Sequence, residues 1–278
     1  MTTARQALAE AAARFDFSAT PRLDAELLLA HALGVPRERL LLTLADHAVP
    51  AAFADLVARR ARQEPVAYLT GTRAFWTIDL AVGPGALVPR ADSETLIEAA
   101  VDHFAGTAGP RRVLDLGTGP GTLLLAALAQ WPEATGSGVD ASPAALDWAR
   151  RNARALGMEA RTTLRHGNWA EGIDARFDLV LANPPYIAAG TALPDEVARH
   201  EPASALFAGA DGLDDYRRIA PALPRLIAPG GVACVEIGHD QGDSAAALFR
   251  AQGLAVALRR DLAGNDRCLS ILPPVAGP

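Results

Sequence analysis

The sequence predicts an α/β protein in which a doubly wound parallel sheet follows a small, entirely helical N-terminal domain. From about residue 91 onward, apolar strand-like runs alternate with helical patterns, and such alternation is typical of parallel strands joined by right-handed crossovers. Residues 1–71 contain only helical patterns, so we expect them to form a separate domain. The segment 72–90 between the two is expected to be a linker with a β-hairpin.

The N-terminal segment has the composition of short amphipathic helices. It is rich in alanine, leucine and arginine, and its apolar residues recur at three- and four-residue spacings. Turn signals at residues 20–21, 34–36 and 49–50 divide it into several helices. Residues 1–70 carry eight acidic and eight basic side chains and are therefore neutral. A bundle of this size is too small for a substrate pocket of its own, so we expect a docking module.

The remaining segment, 91–278, contains the elements of the predicted sheet. Helices are predicted over about 93–104, from the glycine loop to about 130, and over 143–156. Strands are predicted over 112–116, up to 140, and over 177–182, 231–237 and 268–272. Residues 75–82 also have strand composition, and the turn-rich Gly83-Pro84-Gly85 that follows marks the domain boundary.

Charge and cysteine content indicate the environment of the protein. The net charge is −6, and all 26 cationic residues are arginine, which we interpret as a compositional bias of the genome. An acidic protein lacks the basic face that neutralises phosphates, so we expect no direct nucleic-acid binding. Apolar runs such as 123–129 are too short to span a membrane, and the N-terminus has no signal-peptide pattern. Cys234 and Cys268 are expected to be buried free thiols, which favours a protein of the reducing cytoplasm. We also expect a monomer.

A glycine loop follows the first strand of the predicted sheet. Residues 113–121 read Val-Leu-Asp-Leu-Gly-Thr-Gly-Pro-Gly. Glycines allow a sharp turn off a strand and a close approach of a ligand to the backbone, although a tight turn without a ligand is an alternative. A dinucleotide pyrophosphate requires G-x-G-x-x-G spacing. The G-x-G-x-G spacing found here, after an acidic residue, suits a cofactor without a phosphate, such as S-adenosylmethionine.

Asp140 ends the next predicted strand, 19 residues after the last loop glycine. A carboxylate at this place accepts hydrogen bonds from both ribose hydroxyls of a nucleoside cofactor. The alternative is that Asp140 merely caps the helix that opens at Ser142-Pro143. Its position relative to the glycine loop favours the ribose.

The most specific motif is Asn183-Pro184-Pro185-Tyr186, directly after an apolar strand. An amide nitrogen is a poor nucleophile because its lone pair is delocalised into the carbonyl. The Asn183 side-chain oxygen and the Pro184 carbonyl can each accept one N–H of such an amide, which redirects the lone pair and stabilises the charge that develops on nitrogen. Pro185 fixes the backbone of Pro184, and Tyr186 supplies an aromatic wall. A proline-rich loop without a ligand is the alternative.

The chain resembles the bacterial release factor glutamine methyltransferases, the PrmC/HemK family, along nearly its full length. The matching residues are 64–71, 75–76, 89–94, 113–121, 183–186, 201–202, 205–206, 211–212, 236–238 and 261–267. The glycine loop and the Asn-Pro-Pro-Tyr motif occur in many nitrogen methyltransferases. The Tyr-Leu-Thr-Gly block at 68–71 and the Pro-Arg-x-Asp-Ser-Glu block at 89–94 are more particular to this family.

The resemblance implies a Rossmann-like class I methyltransferase fold with a helical domain that engages peptide chain release factors. It also implies methyl transfer from S-adenosylmethionine to N5 of the glutamine in the factor's Gly-Gly-Gln motif. The cofactor-binding residues that it implies are Gly117, Thr118, Gly119, Pro120, Gly121, Asp140, Trp169 and Asn183. The residues that would bind the target amide are Asn183, Pro184, Pro185 and Tyr186. Of these, Asn183, Pro184 and Tyr186 would be catalytic.

Two residues depart from the family pattern. Asn168 stands before Trp169 where family members usually have an acidic residue, but its side-chain carbonyl can still accept a bond from an adenine amino group. Pro120 removes one backbone N–H donor from the glycine loop. In the 89–94 block, Arg90 could pair with the cofactor's carboxylate, whereas Asp92 or Ser93 could simply cap the next helix.

Other functions remain open on the sequence alone. A DNA or RNA adenine-N6 methyltransferase is the main alternative, because an exocyclic amine presents the same conjugated NH2 group, but such an enzyme must also grip phosphates and extract a base. The second alternative is a binding protein that has the same fold but no catalytic activity. Without the family resemblance, Trp169 would be interpreted as a residue of the hydrophobic core rather than as a cofactor contact. His166 and His239 show no metal-ligand spacing, so no metal site is predicted.

Overall fold

The computed structural model describes residues 3–273, which form two compact units. The first comprises the chain up to Thr72 together with Leu193–Glu201, and the second comprises Arg73–Ala192 and the chain from Pro202 onward. The sequence did not indicate that residues 193–201 belong with the helices. Met1 and Thr2 of the expected helical domain, and residues 274–278 of the expected catalytic domain, lie outside the described residues.

The first unit is built from short helices, three of which begin at or directly after the predicted turn signals. Its helices are α1 (Ala4–Ala12), α2 (Pro21–Leu33), α3 (Arg37–Leu42), α4 (Ala51–Arg60), α5 (Val66–Thr70) and a later one over Asp195–His200. Thr3 and Gln6 form a capping box that begins α1. Pro21 opens α2, and Gly34, at a φ of 67°, ends it in the left-handed conformation that glycine adopts readily. The helical prediction for this segment is confirmed.

The interior of the helical unit combines an apolar core with one buried ion-pair cluster. Leu8, Phe15, Leu28, Leu29 and Leu40 are fully buried in that core. The Arg60 guanidinium, only 3% exposed, donates to Asp24 Oδ2 from Nε at 2.9 Å and from Nη2 at 2.8 Å. Its Nη1 lies 3.0 Å from Glu196 Oε2. Because Glu196 lies within 193–201, this contact helps to hold that segment in the unit.

The second unit begins with the expected hairpin and continues with alternating strands and helices. The strands are β1 (Thr72–Phe75), β2 (Ile78–Ala81), β3 (Arg112–Leu116), β4 (Thr135–Asp140), β5 (Thr162–His166), β6 (Phe177–Ala182), β7 (Ile227–Glu236), β8 (Ala255–Arg260) and β9 (Asp266–Leu272). The helices are α6 (Glu94–His103), α7 (Thr122–Gln130), α8 (Pro143–Ala155), then α9 for Asp195–His200 of the first unit, α10 (Asp214–Ile219), α11 (Leu223–Leu226) and α12 (Gly242–Arg250).

The main sheet has seven strands in the order β5-β4-β3-β6-β7-β9-β8. The pairs β3–β4, β3–β6, β4–β5 and β6–β7 are parallel, as predicted for a doubly wound sheet. The prediction was wrong for the last strand, because β9 is antiparallel to both β7 and β8. The turn between β8 and β9 spans only a few residues, and a short connection can join only antiparallel neighbours.

The core of the second unit lies on both faces of this sheet. Leu114 of β3 pairs with Val180 of β6, and both side chains are fully buried, as are those of Leu124 in α7 and Phe249 in α12. A central strand that is covered on both faces needs a nearly continuous apolar run, which is the pattern that identified β3 and β6 from the sequence. The two fully buried cysteines, Cys234 and Cys268, are free thiols, as expected.

Candidate active site

A cavity of about 620 Å3 opens at the carboxyl ends of β3, β4 and β6. The strand order reverses between β3 and β6, since the chain moves from β3 to β4 on one side and later to β6 on the other. Open α/β sheets bind their ligands at such a switch point. The predicted site residues that line the cavity are Gly117, Thr118, Gly119, Pro120, Asp140, Trp169, Asn183 and Pro185.

The glycine loop is held against the neighbouring strand by its own backbone. The N–H groups of Gly117 and Thr118 donate to the Val139 carbonyl at 2.8 and 3.0 Å. Gly117 has a φ of 73°, and a Cβ there would lie 3.0 Å from the Trp169 ring. Gly121 is the N-cap residue of α7, where a Cβ would lie 2.9 Å from Leu125, and its contact with the cofactor stays a prediction. Its conformation and packing therefore account for this glycine.

Asp140 bridges the glycine loop and the loop after β4. Its Oδ2 accepts from the Gly119 N–H and its Oδ1 from the Ser142 N–H, both at 2.8 Å. Helix α8 is capped by Ser142, whose hydroxyl oxygen accepts from the Ala145 N–H at 3.2 Å. The alternative that Asp140 itself caps this helix is thus wrong. The half-buried carboxylate lines the cavity and keeps lone pairs for a ligand.

Asp115, the acidic residue that precedes the loop glycines, is a buried carboxylate beneath the loop. It is 1% exposed, and its Oδ2 accepts from the Thr118 hydroxyl at 2.7 Å and the Leu124 N–H at 3.2 Å. Its Oδ1 has no partner among residues 3–273. Burial raises the pKa of Asp115 to about 7. A buried carboxylate oxygen left free in a cavity wall is suited to a cationic ligand group.

Trp169 forms the opposite wall. It adopts a φ of 49°, which is uncommon for a residue with a side chain, and its ring lies over Gly117. The indole Nε1 donates to Asp215 Oδ1 at 3.0 Å, which fixes the ring plane. Next to it, the Asn168 side-chain carbonyl accepts from Arg218 at 2.5 Å and its amide donates to Glu171 at 3.1 Å. Asn168 lines the cavity, and its role toward an adenine stays a prediction.

The Asn-Pro-Pro-Tyr segment follows β6 and separates two cavities. Asn183 and Pro185 line the larger one. Pro184 is buried beside it. Tyr186 lies at a second cavity of about 430 Å3, where its hydroxyl donates to Glu236 Oε1 at 3.3 Å. The expectation that Tyr186 forms a wall beside the target amide stays a prediction.

The second cavity is polar and contains residues from four of the blocks quoted for the family resemblance. Its lining residues are Arg73, Arg90, Ala91, Asp92, Tyr186, Glu236, His239 and Arg267. Arg267 lies 3.4 Å from Asp92 and 3.2 Å from Asp261. Burial raises the pKa of Glu236 to about 7, and burial together with Glu236 raises that of the Tyr186 hydroxyl. Tyr186 therefore stays protonated and donates its hydrogen.

Glu236, like Asp115, was missed as a site residue. One signal was available, since each is a lone acidic residue inside an apolar strand run, a placement that is costly without a function or a partner. Asn152 of α8 was missed as well. Its amide donates to the Pro120 carbonyl at 2.9 Å and to the Ala81 carbonyl at 3.0 Å, and its oxygen accepts from the Ala81 N–H at 2.8 Å. Sequence gives no signal for such a contact.

Comparisons with known proteins agree with this architecture. The model of the PrmC N-terminal domain matches residues 6–71, and that of the methyltransferase small domain matches residues 92–205. The release factor glutamine methyltransferase of Rhodospirillum rubrum is 46% identical over 266 residues, which cover 93% of this chain and 81% of that protein. That of Caulobacter vibrioides is 41% identical over 271 residues, covering 93% and 92%.

The chain belongs to the release factor glutamine methyltransferase family.

Solved structures show how widely the fold of this family is shared. A methyltransferase from Pyrococcus furiosus superimposes with a TM-score of 0.55 at 17% identity, over 77% of this chain and 96% of that one. At this identity the likeness concerns the fold alone, which is the class I methyltransferase fold that the sequence predicted. Within residues 3–273, every helix is too short or too polar to traverse a lipid bilayer.

Proposed function

We propose that this protein transfers the methyl group of S-adenosylmethionine to the side-chain amide nitrogen of the glutamine in the Gly-Gly-Gln motif of peptide chain release factors. The observation that carries the proposal is that Asn183 lies in the wall of the same cavity as the glycine loop and Asp140. A group that can grip a planar NH2 therefore faces the place where a nucleoside cofactor fits. Membership of the release factor glutamine methyltransferase family supports the choice of substrate.

The residues around the cavity fit the cofactor group by group. Asp140 would accept from the ribose hydroxyls, and Trp169 would pack against the adenine. The unpartnered Oδ1 of buried Asp115 suits the ammonium of the methionine part, because a cation compensates a carboxylate that burial disfavours. Arg90, which lines both cavities, is our candidate for the methionine carboxylate. When bound, the cofactor supplies an electrophilic methyl group on a sulfonium.

The protein's contribution to the chemistry is to hold and polarise the target amide. Asn183 Oδ1 and the Pro184 carbonyl would each accept one N–H of the glutamine, which turns the nitrogen lone pair toward the methyl. Methyl transfer to the nitrogen would be matched by loss of the methyl from the sulfonium, so that each N–C bond formed would correspond to one C–S bond broken. The two oxygens stabilise the positive charge on nitrogen. Because an N-methylated amide cation is strongly acidic, its proton passes to solvent and no general base is needed.

The remaining parts of the proposal concern partners and location. The helical unit would dock the release factor, since a unit of this small size has no room for a deep site of its own. We infer a monomer in the cytoplasm, where the buried thiols Cys234 and Cys268 stay reduced. Nucleic acid is not part of the proposed complex.

A two-substrate assay tests the function. The purified protein is incubated with S-adenosylmethionine labelled in the methyl group and either a release factor with an intact Gly-Gly-Gln or unmodified DNA. We expect label in the release factor only, and none when its glutamine is replaced by alanine. Asn183→Ala should lower the rate by a factor of about 10²–10³, because an acceptor aimed at developing charge is removed.

Gln252→Ala, which removes an exposed amide after α12, is the matched control and should leave the rate unchanged. Labelled DNA with an unlabelled release factor would mean that the protein is an adenine methyltransferase instead.

A further inference from the structure

Ser93 lines the same cavity as Asn183 and contacts the Asn183 side chain. It occupies the N-cap position of α6 and is 2% exposed. Within residues 3–273 its side chain makes no capping hydrogen bond, although serine is among the best capping residues. The expectation that Ser93 simply caps this helix is therefore wrong. Its Oγ instead accepts from the Asn183 Nδ2 at 3.2 Å.

The orientation of the Asn183 amide decides what the cavity can recognise. With Nδ2 toward Ser93, the oxygen Oδ1 is left for the cavity and can accept from a glutamine NH2. If the amide rotated by half a turn, Nδ2 would point to the cavity and would repel the same NH2 group. A serine hydroxyl permits both states, because it can either accept from Nδ2 or donate to Oδ1. What fixes the amide is therefore the direction of the Ser93 hydrogen.

Glu236 is the buried acid that interacts with the Ser93 hydroxyl. Burial raises the pKa of the Glu236 carboxyl, and the Ser93 hydroxyl lowers it by a smaller amount, as a hydroxyl does when its hydrogen points toward a carboxylate. The carboxylate is 1% exposed and also accepts from the Tyr186 hydroxyl. Its Oε2 has no hydrogen-bond partner among residues 3–273, so it is open to the Ser93 hydrogen. A buried carboxylate that is short of donors competes strongly for the hydrogens around it.

We propose that Ser93 and Glu236 are positioning residues that lock the Asn183 amide with its oxygen toward the cavity, and that this lock makes the site select glutamine over glutamate. The inference rests on the proposed function and deepens it. A glutamate carboxylate offers only acceptors, so an Asn183 oxygen facing it has nothing to bind. Without the lock, the rotated amide would accept a carboxylate.

The charges around Glu236 set the conditions under which the lock holds. Arg267 lowers the pKa of Glu236 and Asp92 raises it, while Arg90 and His239 line the adjacent cavity. Tyr186 stays a donor at any working pH, since burial raises its pKa. The carboxylate must be ionised to accept from both hydroxyls, so the lock is best tested near pH 8.

The test measures discrimination between two ligands rather than activity alone. The full-length protein, saturated with S-adenosylhomocysteine, is titrated with a release factor carrying Gly-Gly-Gln and with one in which that glutamine is glutamate. For the wild type we expect tighter binding of the glutamine form by at least about tenfold. Glu236→Gln removes the charge that attracts the Ser93 hydrogen with little change of volume. Ser93→Ala removes the hydroxyl that lies between Asn183 and Glu236.

Each variant should reduce the ratio of the two dissociation constants by about tenfold, and each should lower kcat, with S-adenosylhomocysteine affinity unchanged. Thr95→Val, which removes a buried hydroxyl from the same helix, is the matched control and should keep the wild-type ratio. An unchanged ratio in both folded variants, even with lower activity, would overturn the lock, because a purely structural role does not alter this selectivity. Failure of the wild type to bind or methylate the release factor would instead contradict the proposed function.

Discussion

Buried carboxylates behave in opposite ways in the two units. Glu26 of the helical unit is 6% exposed and pairs with Arg22 at 2.7 Å and Arg37 at 2.8 Å. Burial alone would raise the pKa of Glu26, but the bonds from the two arginines outweigh it, and the pKa lies below its ordinary value. Glu236 of the second unit is 1% exposed, and its pKa rises to about 7 because burial dominates.

This difference in pairing distinguishes carboxylates that stabilise the fold from carboxylates that are available for function. In the helical unit, Asp24 accepts from Arg60 and from the Ser18 hydroxyl at 2.8 Å, so its charge is compensated within the fold. In the second unit, Asp115 Oδ1 and Glu236 Oε2 lack partners in the part of the chain that the structure describes. Burying a carboxylate without enough hydrogen-bond donors lowers the stability of the fold. Such a group is therefore expected to bind a ligand or to take part in the mechanism.

The largest effect is expected from breaking the compensated cluster. Arg60→Ala leaves Asp24 and Glu196 without their shared partner and should lower the free energy of unfolding by about 3–5 kcal/mol. Urea titration of the full-length protein followed by circular dichroism measures it. Arg59→Ala is the matched control, because the Arg59–Glu64 pair is more exposed, and it should cost under about 1 kcal/mol. Equal effects of the two would show that burial of the cluster is energetically irrelevant.

A second prediction concerns pH and has opposite signs in the two units. The raised pKa of Glu236 and Asp115 means that their contribution to stability is fully present below their ordinary pKa and is lost as pH rises through about 7. The lowered pKa of Glu26 means that its contribution is present above its ordinary value and is lost as pH falls below it. Raising the pH from about 5 to about 8 should therefore destabilise the second unit, on the order of 1 kcal/mol per carboxylate, and leave the first unchanged.

Hydrogen exchange of the ligand-free protein measures each unit separately in the intact chain. Asp115→Asn and Glu236→Gln should each flatten the pH dependence of the second unit, whereas Asp147→Asn, which changes an exposed carboxylate of α8, should not. A parallel rise of stability in both units over this pH range would contradict the assignment.

The smallest effect is expected in cofactor affinity. Asp115→Asn replaces the free carboxylate oxygen by a neutral group and should weaken S-adenosylmethionine binding by about tenfold, since one charge-assisted bond to the ammonium is lost. Calorimetric titration checks this. Sinefungin carries an amine in place of the methyl-sulfonium but has the same amino acid group as S-adenosylmethionine. Its affinity should therefore fall by the same factor in Asp115→Asn. Unchanged affinity would mean that the ammonium binds elsewhere.

Local signals explain which features the sequence could predict. Helix boundaries in the first unit followed proline and glycine, which act within a few residues. β3 and β6 were found because central strands need apolar runs. β5 and β8 were missed because they are the edge strands of the sheet and are largely exposed, so neither needs a long apolar run. The direction of β9 was missed because apolar composition does not encode strand direction.

The site residues also divide into those that local signals predict and those that depend on long-range contacts. The glycine loop, Asp140 and Asn183 follow parallel strands and so meet at one edge of the sheet, which made their common cavity predictable. Their individual roles stay predictions. Ser93, Glu236 and the membership of residues 193–201 in the helical unit depend on contacts between distant parts of the chain. No local pattern reveals such contacts.

Asn152 has a consequence for how freely the surrounding sequence can vary. All three of its hydrogen bonds end on main-chain atoms, so neither the β2 residue nor the loop residue that it joins has to keep a particular side chain. The loop contributes only a carbonyl oxygen to this contact, and a proline has that oxygen as every other residue does. The proline at position 120 is therefore compatible with the hydrogen bond from Asn152, and this contact does not depend on the departure from the family pattern.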